Sequence, residues 1–277
     1  MDTAAPTAED CPHRDEIPML GLGTWKNDDP ETCATAVQEA LEMGYRHIDT
    51  AQAYNNEQAV GNGIARADVD RQDVFVATKV WIDSLAYDDV LETTADSLER
   101  LGLESVDLLY VHWPARTYDP EETLAAFNRL YEQESIDRIG VSNFEPDQLR
   151  AAVEISEAPI VANQIECHPI LKQPKLRAAA AELDLAVVAY SPLARGDVFE
   201  EPTLREIAGD HGCSPAQISL AWLRQRGVVA IPKATSTAHI YDNWQSLAVE
   251  LSDSELERID GIETTTRCVD PAFGPWN

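Results

Sequence analysis

Short apolar runs rich in β-branched residues recur along the chain, and each is followed by a stretch whose apolar residues return every three or four positions. Eight runs stand out: 19–24 (MLGLGT), 46–50 (RHIDT), 74–79 (VFVATK), 106–112 (VDLLYVH), 136–142 (IDRIGVS), 160–166 (IVANQIE), 186–191 (AVVAYS) and 228–233 (VVAIPK). Near-continuous apolarity over a strand's length marks a strand buried on both faces, as in parallel sheets covered by helices. Between the runs, 88–101 places Leu91, Thr94, Leu98 and Leu101 on one helical face, with Gly102 as a stop signal. Pro30 and Pro146 stand where a first helical position is expected. Eight βα units of roughly 25 to 40 residues predict an α/β protein closed into a (β/α)8 TIM barrel, with an open doubly wound sheet as the alternative. No linker or low-complexity tract interrupts the pattern, so a single domain over 1–277 is expected, with 1–16 a flexible N-terminus and 263–277 a C-terminal tail. The segment 61–66 (GNGIAR) echoes a dinucleotide fingerprint, but it lacks the third glycine and does not directly follow a strand pattern. It predicts a helix or turn instead.

Charge narrows the partners. Asp and Glu number 49 against 21 Lys and Arg, a net charge of −28, and only five of the cations are lysines. Such a field repels phosphate backbones and anionic lipid, which excludes nucleic acid and membrane surfaces as partners. The acidic residues are scattered over helix-like segments, and with the lysine shortage this resembles the solvated acidic skin of proteins from salt-loving organisms. Five cysteines, widely spaced and without a CxxC pair, suggest neither a disulfide framework nor a zinc knuckle. The acidic N-terminal stretch has no apolar run of a signal peptide, and no segment approaches the ~20 apolar residues of a membrane span. A cytoplasmic monomer is expected.

In a barrel the chemistry sits at the C-terminal strand ends. Asp49 closes the second run, Lys79 the third, His112 the fourth, Ser142 and Asn143 the fifth; Gln164 lies late in the sixth, Tyr190 closes the seventh and Lys233 the eighth. Singly each has a structural explanation; jointly they predict one polar mouth.

The segments 44–57 (GYRHIDTAQAYNNE), 77–81 (ATKVW), 110–114 (YVHWP), 139–144 (IGVSNF), 163–169 (NQIECHP), 189–196 (AYSPLARG) and 231–235 (IPKAT) resemble, in order, the motifs of the aldo-keto reductase family, most closely its prokaryotic 2,5-diketogluconate reductase-like group. The resemblance runs from about Ile17 to Asp260 and implies the same barrel. It implies a catalytic tetrad of Asp49, Tyr54, Lys79 and His112. Reducing a carbonyl needs hydride at carbon and a proton at the developing alkoxide. A phenol titrates near 10, so Lys79 is expected to lower Tyr54, Asp49 to keep that lysine charged, and His112 to hold the carbonyl oxygen.

The resemblance also implies a nicotinamide cofactor site. Ser142, Asn143 and Gln164 match positions that hydrogen-bond the carboxamide, and Tyr190 matches the ring stacked on its face. Ser191, Leu193 and Gly196 fall in the loop over the pyrophosphate, Thr24 and Trp25 at the nicotinamide end, and Asn243 at the adenine. At the adenosine end Lys233 is retained, but Ala234 stands where relatives carry Ser and His239 where they carry Arg; Thr235 or Ser236 could supply the hydroxyl. Arg forks onto a phosphate, whereas His offers one contact, so NADPH is expected with NADH or dual use as the alternative. Trp25, Trp81 and Trp113, with His112, are expected to form the substrate wall, and the tail 268–277 with Trp276 would lie near substrate in relatives. The expected activity is NAD(P)H-dependent reduction of aliphatic, aromatic or sugar-derived aldehydes and ketones. A nucleotide-sensing barrel without turnover is the alternative, and a metal-dependent hydrolase is disfavoured because Lys79 beside Asp49 and His112 would compete with a cation.

Overall fold

The computed structural model describes residues 5–277. A short antiparallel hairpin, β1 (His13–Arg14) and β2 (Ile17–Pro18), precedes a ladder of eight parallel strands. These are β3 (Leu22–Gly23), β4 (His47–Asp49), β5 (Phe75–Val80), β6 (Leu108–Val111), β7 (Ile139–Ser142), β8 (Ile160–Glu166), β9 (Ala186–Tyr190) and β10 (Val228–Ala230), each paired with its neighbours in sequence. Parallel bridges Leu20–Ala230 and Gly23–Lys233 join the first of them to the last, which closes the barrel and excludes the doubly wound sheet. Seven of the eight strands fall inside the runs expected from sequence, and β5 passes the end of its run, 74–79, by one residue, Val80.

Ten helices cover the outside: α1 (Pro30–Met43), α2 (Glu57–Arg66), α3 (Tyr87–Leu101), α4 (Pro120–Glu132), α5 (Pro146–Ile155), α6 (Pro174–Glu182), α7 (Pro202–His211), α8 (Pro215–Gln225), α9 (Thr237–Gln245) and α10 (Asp253–Asp260). Their starts follow from local chemistry. Proline occupies the first helical position of α1, α4, α5, α6, α7 and α8, where its missing N–H costs nothing, and Asp29 and Ser214 accept the orphan N–H groups of Thr32 and Gln217. α3 begins one residue before the expected 88 and stops at Gly102, whose φ of 67° is the left-handed conformation glycine adopts without a Cβ clash.

The core has two layers. Met19, Phe75, Leu108, Ala162, Val188 and Val229 fill the bore toward the N-terminal end, with the fully buried Ile17 of β2 packed among them. A larger cluster lies between strands and helices. The hairpin thus seats at the barrel's bottom, and in place of flexibility the stretch before it is tied down: Trp244 donates its indole N–H to the Pro6 carbonyl at 2.9 Å and Cys11 is buried. Residues 1–4 of the expected flexible N-terminus lie outside the described residues. The GNGIAR segment lies in α2, as a helix, where its glycines let helices touch: a Cβ at Gly61 would meet the Leu101 carbonyl oxygen at 2.1 Å, and one at Gly63 the Ala34 oxygen and Val37 at 2.6 Å.

Candidate active site

The strand ends converge on a cavity of about 1170 Å³ at the C-terminal mouth. On its floor the Lys79 ammonium contacts Asp49 Oδ1 and donates to the Thr50 carbonyl at 2.7 Å, while Gln164 donates to Asp49 Oδ2 at 2.8 Å. Both charges are buried, which is tolerable only because each is paired and hydrogen-bonded. Lys79 lies 5.2 Å from the centre of the Tyr54 ring, and the Tyr54 and His112 rings meet edge to face with centroids 5.8 Å apart. Tyr54 is half-buried on a 3-10 turn, Gln52–Tyr54, which Asn55 leaves in the left-handed conformation. Asn56 behind it accepts from Thr50 and donates to the Thr24 carbonyl, and Gln52 accepts from the Trp81 N–H while donating to Thr93 and Ser97. The loop carrying Tyr54 is thereby fastened to three neighbouring segments.

The electrostatics run differently from the sequence-based expectation at one point. Burial, then the charge of Asp49, then Tyr190, push the Tyr54 phenol well above its usual value. Lys79, held in contact with Asp49, is not among the groups that move the phenol, whereas Asp49 is. Burial pulls Lys79 itself down against the opposing pull of Asp49, and burial together with the Lys79 charge drives His112 well below its ordinary value, so its imidazole is neutral.

Along one side of the mouth Ser142 donates to the Gln164 carbonyl at 2.9 Å, and Asn143, at φ 63°, donates to the His112 carbonyl and to Ser142 Oγ while accepting from the Tyr190 hydroxyl at 2.7 Å. Thr24, Tyr190, Ser191, Leu193, Gly196 and Lys233 line the same cavity. An aromatic wall lines the cavity as well. Trp81 packs edge-on to His112 at 5.0 Å, and both Trp81 and the buried Trp113 meet Phe273 at 6.2 and 5.4 Å.

The matching family is Aldo/keto reductase family, over residues 19–264. This chain belongs to the aldo/keto reductase family. It is 39% identical over 254 residues to the 9,11-endoperoxide prostaglandin H2 reductase of Trypanosoma cruzi (strain CL Brener), with 91% of this chain and 89% of that one covered. Among solved structures it is similar to one described as a 2,5-diketo-D-gluconic acid reductase B, at TM-score 0.89 and 35% identity over 94% and 92% of the two chains. It is similar also to the Bombyx mori aldo-keto reductase solved in complex with NADP, at TM-score 0.86 and 35% identity over 92% of each.

Of the remaining expected residues, Ala234, Thr235, His239, Asn243 and Trp276 do not line the cavity. Ala234 and Asn243 are buried, Thr235 is half-buried, and His239 is exposed on the first turn of α9. The Ser236 hydroxyl caps that helix by accepting from the His239 N–H, and Thr237 donates to Glu39. Trp25 lines the cavity with 37% exposure, its ring flanked by Lys26 and Arg195, each 4.6 Å away. Trp276 packs on Trp113 at 5.5 Å outside the cavity lining. Val269, Pro271 and Phe273 of the tail line the cavity, as do Gln52, Arg195 and Phe199. These were not singled out from sequence, since a tail of Pro and Gly has no periodicity to read; the aromatic spacing Phe273 to Trp276 was the available signal. Elsewhere Glu166, His168 and Cys268 bring ligand atoms within 4.8 Å of one another, but both Glu166 oxygens already accept N–H groups.

Proposed function

We propose that Tyr54 is the proton donor of an NADPH-dependent carbonyl reductase, with His112 holding the carbonyl oxygen, Lys79 and Asp49 positioning the phenol, and Phe273, Trp81 and Trp113 enclosing an apolar carbonyl substrate. The observation that carries this reading is the convergence of Tyr54, a neutral His112 and the paired Lys79–Asp49 on the floor of one aromatic-walled cavity. The residues present fit a nicotinamide dinucleotide. The cavity exceeds the roughly 300–1000 Å³ of ordinary small-molecule pockets, Tyr190 lies along its wall, and Lys233 at its far edge makes no ion pair among the described residues. Ser142, Asn143, Gln164 and Tyr190 would hold the nicotinamide, Ser191 to Gly196 the pyrophosphate, and Lys233 with Thr235 and His239 the adenosine end. The cofactor supplies hydride when bound. Tyr54, kept protonated by its surroundings, gives its proton to the oxygen; His112 donates a hydrogen bond to that oxygen as charge develops, which a neutral imidazole can do. Phe273 and the tryptophans keep water from the reacting centre. The acidic, lysine-poor surface supports a cytoplasmic monomer working in concentrated salt, and no helix among the described residues is long and apolar enough to cross a membrane.

The test is nicotinamide absorbance decay in molar KCl with NADPH and a panel of aldehydes, ketones and keto sugars. Tyr54→Phe should lower kcat by about 10²- to 10⁴-fold with NADPH binding retained. Unchanged turnover would sink the mechanism, and wild-type protein that binds NADPH without turnover would establish the sensing alternative. Cofactor choice has its own test: Ala234→Ser with His239→Arg should raise the NADPH-to-NADH preference about tenfold by adding a charged fork at the adenosine end. An unmoved ratio would place the 2′-phosphate elsewhere.

A further inference from the structure

The last ten residues of the chain form no helix or strand, yet they furnish one wall of the cavity through Val269, Pro271 and Phe273. A segment without a ladder needs another source of order. Its fixed point lies behind the site, at the end of β8. Glu166 has no exposed side-chain surface; its Oε1 accepts the Cys268 backbone N–H at 2.6 Å and the His168 ring N–H at 3.0 Å, and its Oε2 accepts the Val269 N–H at 2.9 Å. Further up the tail, Thr266 donates to the Ile170 carbonyl at 2.9 Å, so the tail is stitched along the loop that follows β8. That loop is itself internally tied: His168 and Leu171 exchange both backbone hydrogen bonds, and Gln173 returns a donor to the Glu166 carbonyl. A buried carboxylate whose partners are two backbone N–H groups of a terminal tail is a charge-assisted anchor, since removing it leaves the donors unpaired and removing the donors leaves a buried charge.

We propose that Glu166, braced by His168, is a positioning residue that sets substrate selection by holding the C-terminal tail, and with it Phe273, against Trp81 and Trp113. Glu166 does not line the cavity whereas Phe273 does, so its effect reaches only those carbonyl compounds large enough to touch the Phe273 wall. The proposal rests on the carbonyl reductase reading for its kinetic arm. Its structural arm does not, because tail order is measured without turnover.

The experiment compares Glu166→Gln with Cys268→Pro, which removes one of the tail's donors and leaves Glu166 in place. Amide hydrogen exchange is followed over residues 269–277, and KM and kcat are measured for phenylglyoxal and for methylglyoxal. In both variants tail exchange should rise about tenfold, KM for phenylglyoxal should rise about tenfold, and KM for methylglyoxal, both kcat values and NADPH binding should stay within about twofold. The double variant should be no worse than the poorer single one, because both act through the same bonds. A tail that stays protected in both variants overturns the anchor. Equal KM increases for the two substrates, or none for either, overturn the selection role. Wild-type protein that reduces neither compound would defeat the reductase reading while leaving the exchange result to decide the anchor.

Discussion

A lysine with no exposure is tolerated in the barrel only because Asp49 and the Thr50 carbonyl accept its hydrogen bonds, and that pairing bears on the chemistry of its neighbours. From sequence, an ammonium beside a phenol implies a lowered phenol. In the structure burial and the Asp49 charge prevail and Tyr54 moves the other way, while His112 is driven down by burial and by Lys79. The signs are definite. A phenol raised above its ordinary value stays protonated through the neutral range and beyond, and an imidazole lowered below about 6.5 stays neutral on the acid side. Both groups are therefore in their working form together, and kcat/KM for carbonyl reduction should be level between about pH 6 and 9. An inflection near 6.5 would show a charged His112, and a fall between 7 and 9 would show that Lys79 lowers Tyr54 after all. The residue types and their strand ends were legible in the sequence; the direction of the shift was not, because it depends on how closely Lys79 and Asp49 touch.

At the scale of elements, what sequence conveyed best was anything carried by periodicity. The strand runs read directly and the face Leu91, Thr94, Leu98 and Leu101 nearly so, since burial leaves a repeat in the residue types; the buried face of α3 is centred on Val90, Thr94, Ser97 and Leu101, with Leu91 and Leu98 partly buried beside it. The tail was placed near substrate by resemblance alone, and its own residues did not read, because its order comes from Glu166 rather than from any repeat of its own. GNGIAR shows the converse: a pattern that echoes phosphate binding turns out to be a packing device. α2 lies against both α1 and α3, and the Leu101 carbonyl occupies the space a Gly61 side chain would need. Gly61→Ala should therefore destabilise the fold by about 1–3 kcal/mol through overpacking, outweighing the helix propensity that alanine gains. Gly209→Ala in α7, where an added Cβ meets nothing within 4 Å, should be neutral or stabilising by up to about 1 kcal/mol. Urea unfolding of the pair separates the explanations, since equal midpoints for both variants would mean that the contact at Gly61 relaxes at no cost.

Over the whole molecule the charge is the feature that no single contact explains. Ion pairs are numerous, but most are exposed arginine–carboxylate contacts of the kind worth little individually, such as Arg116–Asp83 and Arg150–Asp147. They leave a net charge of −28 spread around one closed barrel. That surplus repels itself in the folded state more than in the expanded chain, and the repulsion is long-ranged only while ions are scarce. The Debye length is about 10 Å at 0.1 M salt and about 3 Å at 1 M, so the same surface is strained in one medium and relaxed in the other. The floor of the cavity is insulated from this, since Lys79 and Asp49 are buried and paired within contact distance. Salt should accordingly act on the population of folded enzyme more than on the chemistry. Between about 0.1 and 2 M KCl the unfolding midpoint should rise steadily, while kcat per folded molecule stays nearly level. Measuring thermal unfolding and turnover on the same samples checks both halves: a midpoint indifferent to KCl would show that the acidic skin does not strain the fold, and a kcat that climbs with a constant folded fraction would place the salt effect in the active site.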